Sequence, residues 1–432
     1  MQRTYSVDPK AALAANRHPY YGHGKLEILP KFNVSSLDDV ATLYTPGVGY
    51  SVQEIVDRPD ALHELSTKDN MIAVVTDGTA VLGLGRAGPQ AAVPVMEGKA
   101  AMFKLLAGID AIPLCLAVEK SLDIVDILAA LEPGFGGYNI EDVAAPACFE
   151  VMRALEARVP IPVIHDDQYG TATVIAAALI NAWKIAGREP RNQRVVINGA
   201  GAAGSAAFDL LKGMGVGDII VNDRHGILCA GQVQEPPHHA AIAAASNAER
   251  RKGGIVEAVR GADVFIGVSV AGQLTGEMVR TMRARPIILA LANPVPEIMP
   301  EEAMAAGAAI VATGRFDYPN QCNNVLAFPA LMRAALDTRA TRLDREIYLA
   351  SARAIAAEVT AADLRPSSLL PSPLSPSLYP NVAEATARAI VDHGLARRVP
   401  VPGAVAENTR RLRQLVAERQ DALARLSSGV HS

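Results

Sequence analysis

The sequence predicts an α/β fold built on parallel sheets, and three observations carry that expectation. Short, nearly continuous apolar runs recur in the second half, "DIIVND", "ADVFIGVSV", "PIILALANP" and "AAIVATGR", the pattern of strands covered on both faces. The stretch "RVVINGAGAAGSAAFDLLKGMG" reads as strand, glycine turn and helix. From about residue 326 helical periodicity dominates, interrupted by the Pro/Ser-rich "LRPSSLLPSPLSPSLYP". With 432 residues the chain exceeds one ordinary core, which implies two or three domains.

Composition narrows the class. Lys and Arg total 41 against 45 Asp and Glu, for a formal net charge of -4, and half the residues are apolar. That describes a soluble globular protein without the basic footprint of a nucleic-acid binder. The opening "MQRTYSVDPK" lacks the apolar core of a signal peptide, and no run reaches the length of a membrane span. Cys115, Cys148, Cys229 and Cys322 are scattered with no CxxC pair, as expected of reduced thiols in a cytoplasmic protein.

In chain order, "IAVVTDGTAVLGLG" carries a hairpin signal, apolar runs flanking Asp77-Gly78. "VMEGKAAMFKLLAG" follows as a helix, with Met96, Phe103 and Leu106 near helical spacing. "AIPLCLAV" is a buried strand, and "SLDIVDILAAL" and "APACFEVMRALEAR" are helices. The strand "IPVI" then runs into two adjacent acids, Asp166 and Asp167, before a helix over roughly 171–186. One acid can cap that helix; the pair can equally form a metal or catalytic site. The charged end, "NTRRLRQLVAERQDALARL", reads as a surface or interface helix.

"NGAGAAG" places Gly199, Gly201 and Gly204 in G-x-G-x-x-G spacing between a strand and a helix. Such glycines serve a tight turn, close approach to a pyrophosphate and close helix–strand packing, with the helix N–H groups, starting at Ala202 and Ala203, facing the phosphates. Asp223, ending the next strand, lies 223 − 204 = 19 residues past the last glycine, where a ribose-binding acid belongs. A carboxylate there favours NAD; Arg224 and His225 beside it can instead receive the 2′-phosphate of NADP.

Four further features are candidates. Tyr44 sits in the Pro/Gly-rich "LYTPGVG", where its hydroxyl can reach a cleft or satisfy itself in the core. Lys99 lies on a helix whose other residues look buried, where desolvation would lower its pKa towards that of a base, unless it snorkels to solvent. Glu141 and Asp142 form a second acidic pair beyond a strand. Asn320, Asn323 and Asn324 crowd "DYPNQCNNVLAFP", where asparagines also serve turn geometry alone.

Together these segments resemble one family. "LYTPGVG", "VVTDGTAVLGLG", "PVMEGKA", "FGGYNIEDVAAPACFE", "HDDQYGTA", "NGAGAAG", "ALANPVPEI" and "DYPNQCNNVLAFP", in this order, are similar to the motifs of the malic enzymes, in particular the short bacterial type. The likeness spans about residues 40–330 and continues through "PSPLSPSLYPNVAEA". It implies an N-terminal α/β substrate domain over 1–165, a Rossmann-type NAD(P)-binding domain over 166–325 and a C-terminal helical segment over 326–432. It also implies oxidation of malate at C2, decarboxylation to an enol and protonation to pyruvate, with Mg²⁺ or Mn²⁺ as the metal. On the matching positions, the resemblance makes Glu141, Asp142 and Asp167 metal ligands, Lys99 the base for the C2 hydroxyl and Asp166 its orienting or proton-sharing partner. Tyr44 matches the acid that protonates C3, while Asn293 and Asn324 match amides contacting substrate or nicotinamide. A homodimer is implied as well.

Three positions depart from the short bacterial pattern: Arg86 for an asparagine, Tyr169 for a histidine and Phe316 for a serine. None removes a ligand, base or acid of the scheme. Ala80 stands where larger members carry an arginine, so the substrate carboxylate needs another partner. Two alternatives share these motifs: malolactic chemistry with lactate as product, and a paralogue acting on a modified 2-hydroxy diacid. A non-catalytic dinucleotide-binding regulator is the alternative from another class; the intact set Tyr44, Lys99, Glu141, Asp142 and Asp167 speaks against it.

Overall fold

Six residues without one charge, Met71–Thr76, form the first strand that matters for the site, β1. It takes parallel neighbours on both edges, β2 (Asp110–Cys115) and β3 (Gly137–Ile140), and β4 (Val163–His165) adds to β3. The sheet order is therefore β2-β1-β3-β4, wholly parallel. The computed structural model describes residues 8–428 except 15–16, 19–21, 82–83 and 233–235.

The hairpin expected over "IAVVTDGTAVLGLG" does not form. Both edges of β1 are already occupied, so no edge is left to receive a returning strand. The chain after it turns instead: Asp77 accepts from the Thr79 backbone N–H at 3.0 Å and the Thr79 hydroxyl at 2.6 Å. Antiparallel pairing is reduced to an isolated bridge between Val81 and Gly85. Gly78 has φ +69° and packs so tightly on Gly88 that a Cβ would sit 2.2 Å from its carbonyl carbon. The Asp-Gly pair does signal a turn, but the turn opens a loop.

The second sheet comprises β5 (Arg194–Asn198), β6 (Asp218–Asp223), the two-residue β7 (Gly226–Ile227), β8 (Val264–Gly267), β9 (Ile287–Ala290) and β10 (Ile310–Thr313), in spatial order β10-β9-β8-β5-β6-β7. All pairs are parallel except β6 with β7. The chain leaves β5 towards β6 on one side and later returns to β8 on the other. That reversal opens a crevice at the carboxyl ends of β5 and β8, the usual ligand position in such sheets.

Helices cover and join the sheets: α1 (Leu37–Leu43), α2 (Val48–Asp57), α3 (Pro89–Ala107), α4 (Ala147–Arg158), α5 (Thr171–Ala186), α6 (Ala202–Gly213), α7 (His238–Ala245), α8 (Phe328–Asp337), α9 (Arg345–Ala357), α10 (Leu378–Asp392) and α11 (Ala404–Ser428). Helix α5 is apolar all round, with residues 172–179 buried throughout, as befits a helix packed on every side. A single apolar cluster joins Val74 and Phe103 to Trp183, Val195, Leu331 and Tyr379. Both sheets thus share one core with the C-terminal helices. Phe103 meets Phe328 edge to face at 4.7 Å, a contact worth about 1 kcal/mol beyond its burial. The charged terminal helix packs too, with Leu412 filling the space beside Gly108.

The exception is the N-terminal segment. Helix α1 starts on a capping box, the Ser36 hydroxyl accepting from Asp39 N–H at 3.1 Å and Asp39 accepting from Ser36 N–H at 2.8 Å. Yet neither α1 nor α2 buries a single residue.

Candidate active site

Strand β3 ends in Ile140, and Glu141 and Asp142 follow directly, at the carboxyl end of the first sheet. Strand β4, beside it, ends in His165 and runs into one π-helical turn, Asp166–Gly170, that carries Asp166 and Asp167. Single π turns within helices often mark functional sites. Adjacent strands thus deliver four carboxylates to one place. Ligand oxygens of Glu141, Asp142 and Asp167 lie within 4.8 Å of one another. Asp142 adopts φ +54°, and its backbone N–H donates to Asp167 Oδ2 at 2.9 Å, which fixes the two acids side by side.

The donor set suits a hard divalent cation, since it is all carboxylate oxygen. Electrostatics point the same way. Burial pushes the Glu141 carboxyl well above its ordinary value despite Lys99, and Asp166, Asp167 and Asp142 push it further. A cation would relieve that repulsion.

Lys99 projects from α3 into the cluster. Its Nζ lies 2.5 Å from Asp166 Oδ2 and 3.0 Å from Glu141 Oε1, and 4.1 Å above the Phe328 ring. The expectation of a lowered pKa is corrected here. Burial does act downwards, but Asp166 and Glu141 outweigh it and hold the ammonium above its ordinary value. Burial raises the Asp166 carboxyl, against the pull of Lys99. A proton therefore has two adjacent seats. Asn324 donates its amide to Asp166 Oδ2, and Asn139 donates to Glu141 Oε2 at 2.9 Å. Gly170 is required for this geometry, because a Cβ there would fall 1.8 Å from Asp166 Oδ1.

Packing requires two of the three glycines of the turn, and the third faces open space. Gly199 has φ +119°, and a Cβ would meet Val268 O at 2.6 Å. At Gly201 a Cβ would meet nothing within 4 Å, leaving open approach to the backbone, whereas at Gly204 it would collide with Gly199 O at 1.7 Å. Ala202 and Ala203 begin α6, so their N–H groups are among the orphan donors of its first turn. An asparagine ladder holds the strand ends beneath: Asn222 donates to Asn198 at 2.8 Å, and Asn198 to Ser269 at 2.9 Å. Asp223 accepts from His225 N–H at 2.7 Å and faces His239 Nδ1 at 3.4 Å. The other ring nitrogen of His239 meets Ala200 O at 3.0 Å. Asn293 lies beyond the end of β9, exposed at the crevice and packed against Gly314. Its loop is latched by fully buried Glu297, which accepts the backbone N–H groups of Ser269 and Ala292, each at 3.0 Å.

Of the catalytic candidates, Lys99 and Asp166 meet in the buried cluster, whereas Tyr44 lies on the exposed N-terminal segment. It caps α1 and is 71% exposed. Of the departures from the family pattern, Arg86 and Phe316 are exposed, while Tyr169 is half-buried within the site turn. Sequence reasoning missed Phe328, Asn139, Gly170, Glu297 and His239. Only Gly170, placed just after two acids at a strand-to-helix turn, carried a signal.

The family model "Malic enzyme, N-terminal domain" matches residues 23–123, and "Malic enzyme, NAD binding domain" matches 168–390. The chain is 47% identical over 392 residues to the bifunctional malic/malolactic enzyme of Bacillus subtilis, covering 90% of this chain and 95% of that one. It is 45% identical over 379 residues to the NAD-dependent malic enzyme of Geobacillus stearothermophilus, covering 88% and 79%. The crystal structure of malic enzyme from Pyrococcus horikoshii matches with a TM-score of 0.92 at 39% identity, covering 97% of this chain and 98% of that one.

Proposed function

The chain belongs to the malic enzyme family, and from that premise we propose that it oxidises L-malate with a nicotinamide cofactor and decarboxylates the product to pyruvate and CO₂. The observation that carries this reading is Lys99 at 2.5 Å from Asp166 and 3.0 Å from Glu141, beside the acids Asp142 and Asp167. On this reading residues 1–165 supply the substrate chemistry, 166–325 hold the cofactor and 326–432 close the core over both.

Glu141, Asp142 and Asp167 would hold Mg²⁺ or Mn²⁺, which supplies polarisation of the C2 oxygen and charge stabilisation at the reacting carboxylate. The glycine turn and Asp223 would hold NAD, which supplies the acceptor for the C2 hydrogen. Lys99 would take the C2 hydroxyl proton, with Asp166 at 2.5 Å as its orienting or proton-sharing partner. Asn324 holds Asp166 towards Lys99. Asn293 at the crevice meets the nicotinamide or substrate. Loss of CO₂ leaves an enol whose C3 needs a proton, and a phenol is a suitable donor.

Tyr44 fills that role from a second copy. Leu26, Ile28, Phe32, Leu37, Tyr50 and Val56 of the same N-terminal segment are all exposed as well, a set of large apolar side chains that a partner surface would cover. A homodimer in which this set is covered would bring Tyr44 to the neighbouring cluster. A cytoplasmic setting fits the four free cysteines, and no helix among the described residues is long and apolar enough to cross a membrane.

A second reading has one specific support, the 47% identity to an enzyme named malic/malolactic. One experiment separates the readings: a panel of 2-hydroxy acids with NAD and NADP, with and without Mn²⁺, following reduced cofactor and product together. Stoichiometric pyruvate and reduced cofactor from L-malate are expected. Lactate without net cofactor reduction would establish the malolactic reading, and no metal-dependent turnover of any acid would refute both.

A further inference from the structure

We propose that Tyr169 is a positioning residue that clamps the turn bearing Asp166 and Asp167, and so sets the affinity of the metal centre. The inference rests on the reading of Glu141, Asp142 and Asp167 as that centre.

Tyr169 is not one of the ligands; it ties their turn to two helices, α6 and α9. Its ring lies on Tyr348 of α9, with centroids 4.4 Å apart and an interplanar angle of 12°. Its hydroxyl donates to Asp209 Oδ2 of α6 at 3.3 Å. Asp209 is itself held from α9, its Oδ1 accepting from Arg345 Nε at 3.0 Å. The Tyr169 carbonyl accepts the Thr173 hydroxyl at 2.6 Å, which locks the turn onto α5. Tyr348 is 2% exposed, so the platform under the ring is rigid. The turn needs such support. A π turn leaves the regular helical ladder, and Asp166 Oδ1 makes no hydrogen bond within it. The side chain spans turn, α6 and α9 at once, and α6 is the helix that opens at the glycine turn. A histidine in this place is shorter than tyrosine and lacks the para hydroxyl, so it would not bridge to Asp209 in the same way.

The test compares wild type with Tyr169→Phe, which keeps the stack, and Tyr169→Leu, which loses stack and hydroxyl. Mn²⁺ binding to the free protein is read from the electron paramagnetic resonance of unbound ion, NADH binding from fluorescence, and folding from thermal melts. Tyr169→Leu is expected to bind Mn²⁺ about 10-fold more weakly, in the range of lost supporting contacts around metal ligands. Tyr169→Phe should fall between it and wild type, and NADH binding should be unchanged in both. With malate, kcat should fall while KM for NAD holds. Mn²⁺ affinity equal to wild type in both variants overturns the inference alone. Parallel losses of Mn²⁺ binding, NADH binding and melting temperature also overturn it, since they indicate a general structural role. Wild-type protein that binds no Mn²⁺ overturns the metal-centre reading, and this inference with it.

Discussion

Lys99 Nζ and Asp166 Oδ2 stand 2.5 Å apart in a setting where the two side chains are only 9% and 0% exposed. They come from segments 67 residues apart in the chain. Their contact, with Glu141 beside it, holds the lysine ammonium above its ordinary value in spite of burial.

Replacement of Lys99 is therefore expected to stop malate oxidation while sparing the cofactor site. Lys99→Ala should lower kcat about 10²- to 10⁴-fold, the usual share of a general base, with NADH fluorescence titration unchanged. Lys99→Arg distinguishes a base from a mere charge, because a guanidinium does not give up its proton. Restored activity in the arginine variant would remove Lys99 from the role of base.

Delivery of Tyr44 from a second copy predicts complementation. Lys99→Ala and Tyr44→Phe homodimers should each be poorly active, because each lacks one partner at both sites. In a mixed dimer one site regains both groups, so random mixing should restore roughly a quarter of wild-type activity. No recovery on co-expression, with mixed dimers verified by tags, would place both residues in the same protomer's site or Tyr44 outside the reaction.

Gly170 should tolerate no side chain. A methyl group there meets Asp166 Oδ1 at 1.8 Å, so Gly170→Ala must displace the acid or the turn. A shift of that order costs roughly 10²-fold in kcat, and NADH binding should remain. A kcat within about twofold of wild type would show that the turn relaxes without cost to the chemistry.

His239 should weigh on the choice of cofactor. It faces Asp223 at 3.4 Å while its other ring nitrogen meets Ala200 O at 3.0 Å, so the ring fixes the space beside the carboxylate where a ribose 2′-substituent would sit. His239→Ala is expected to change KM for NADP and KM for NAD unequally, by roughly 3- to 10-fold, the scale of about 1 kcal/mol. Equal changes for both cofactors would assign His239 to packing alone.

Much of the architecture was legible along the chain, and each legible part was local. The second sheet announced itself through apolar runs of the right length, and the glycine turn through spacing that strand and helix context confirmed. The helix over residues 171–186 appears with those bounds. The hairpin failed for a non-local reason: Asp77-Gly78 describes a turn whatever pairs with β1, and the pairing was decided by β2 and β3 from far along the chain. The pKa of Lys99 failed in the same way. Its helix announced burial, but not the two carboxylates that burial would bring against it.

The sequence by itself determined the fold class, the dinucleotide turn and the acids of the carboxylate cluster, because periodicity, glycine spacing and side-chain chemistry are written in order along one strand of polymer. Only the tertiary structure decided which acids share the lysine, that Tyr44 is left exposed, and that Tyr169 bridges turn and helices. Those facts depend on which segments pack together. Packing is settled by burial of the whole core, where Val74, Phe103, Val195 and Tyr379 join one cluster from distant parts of the chain.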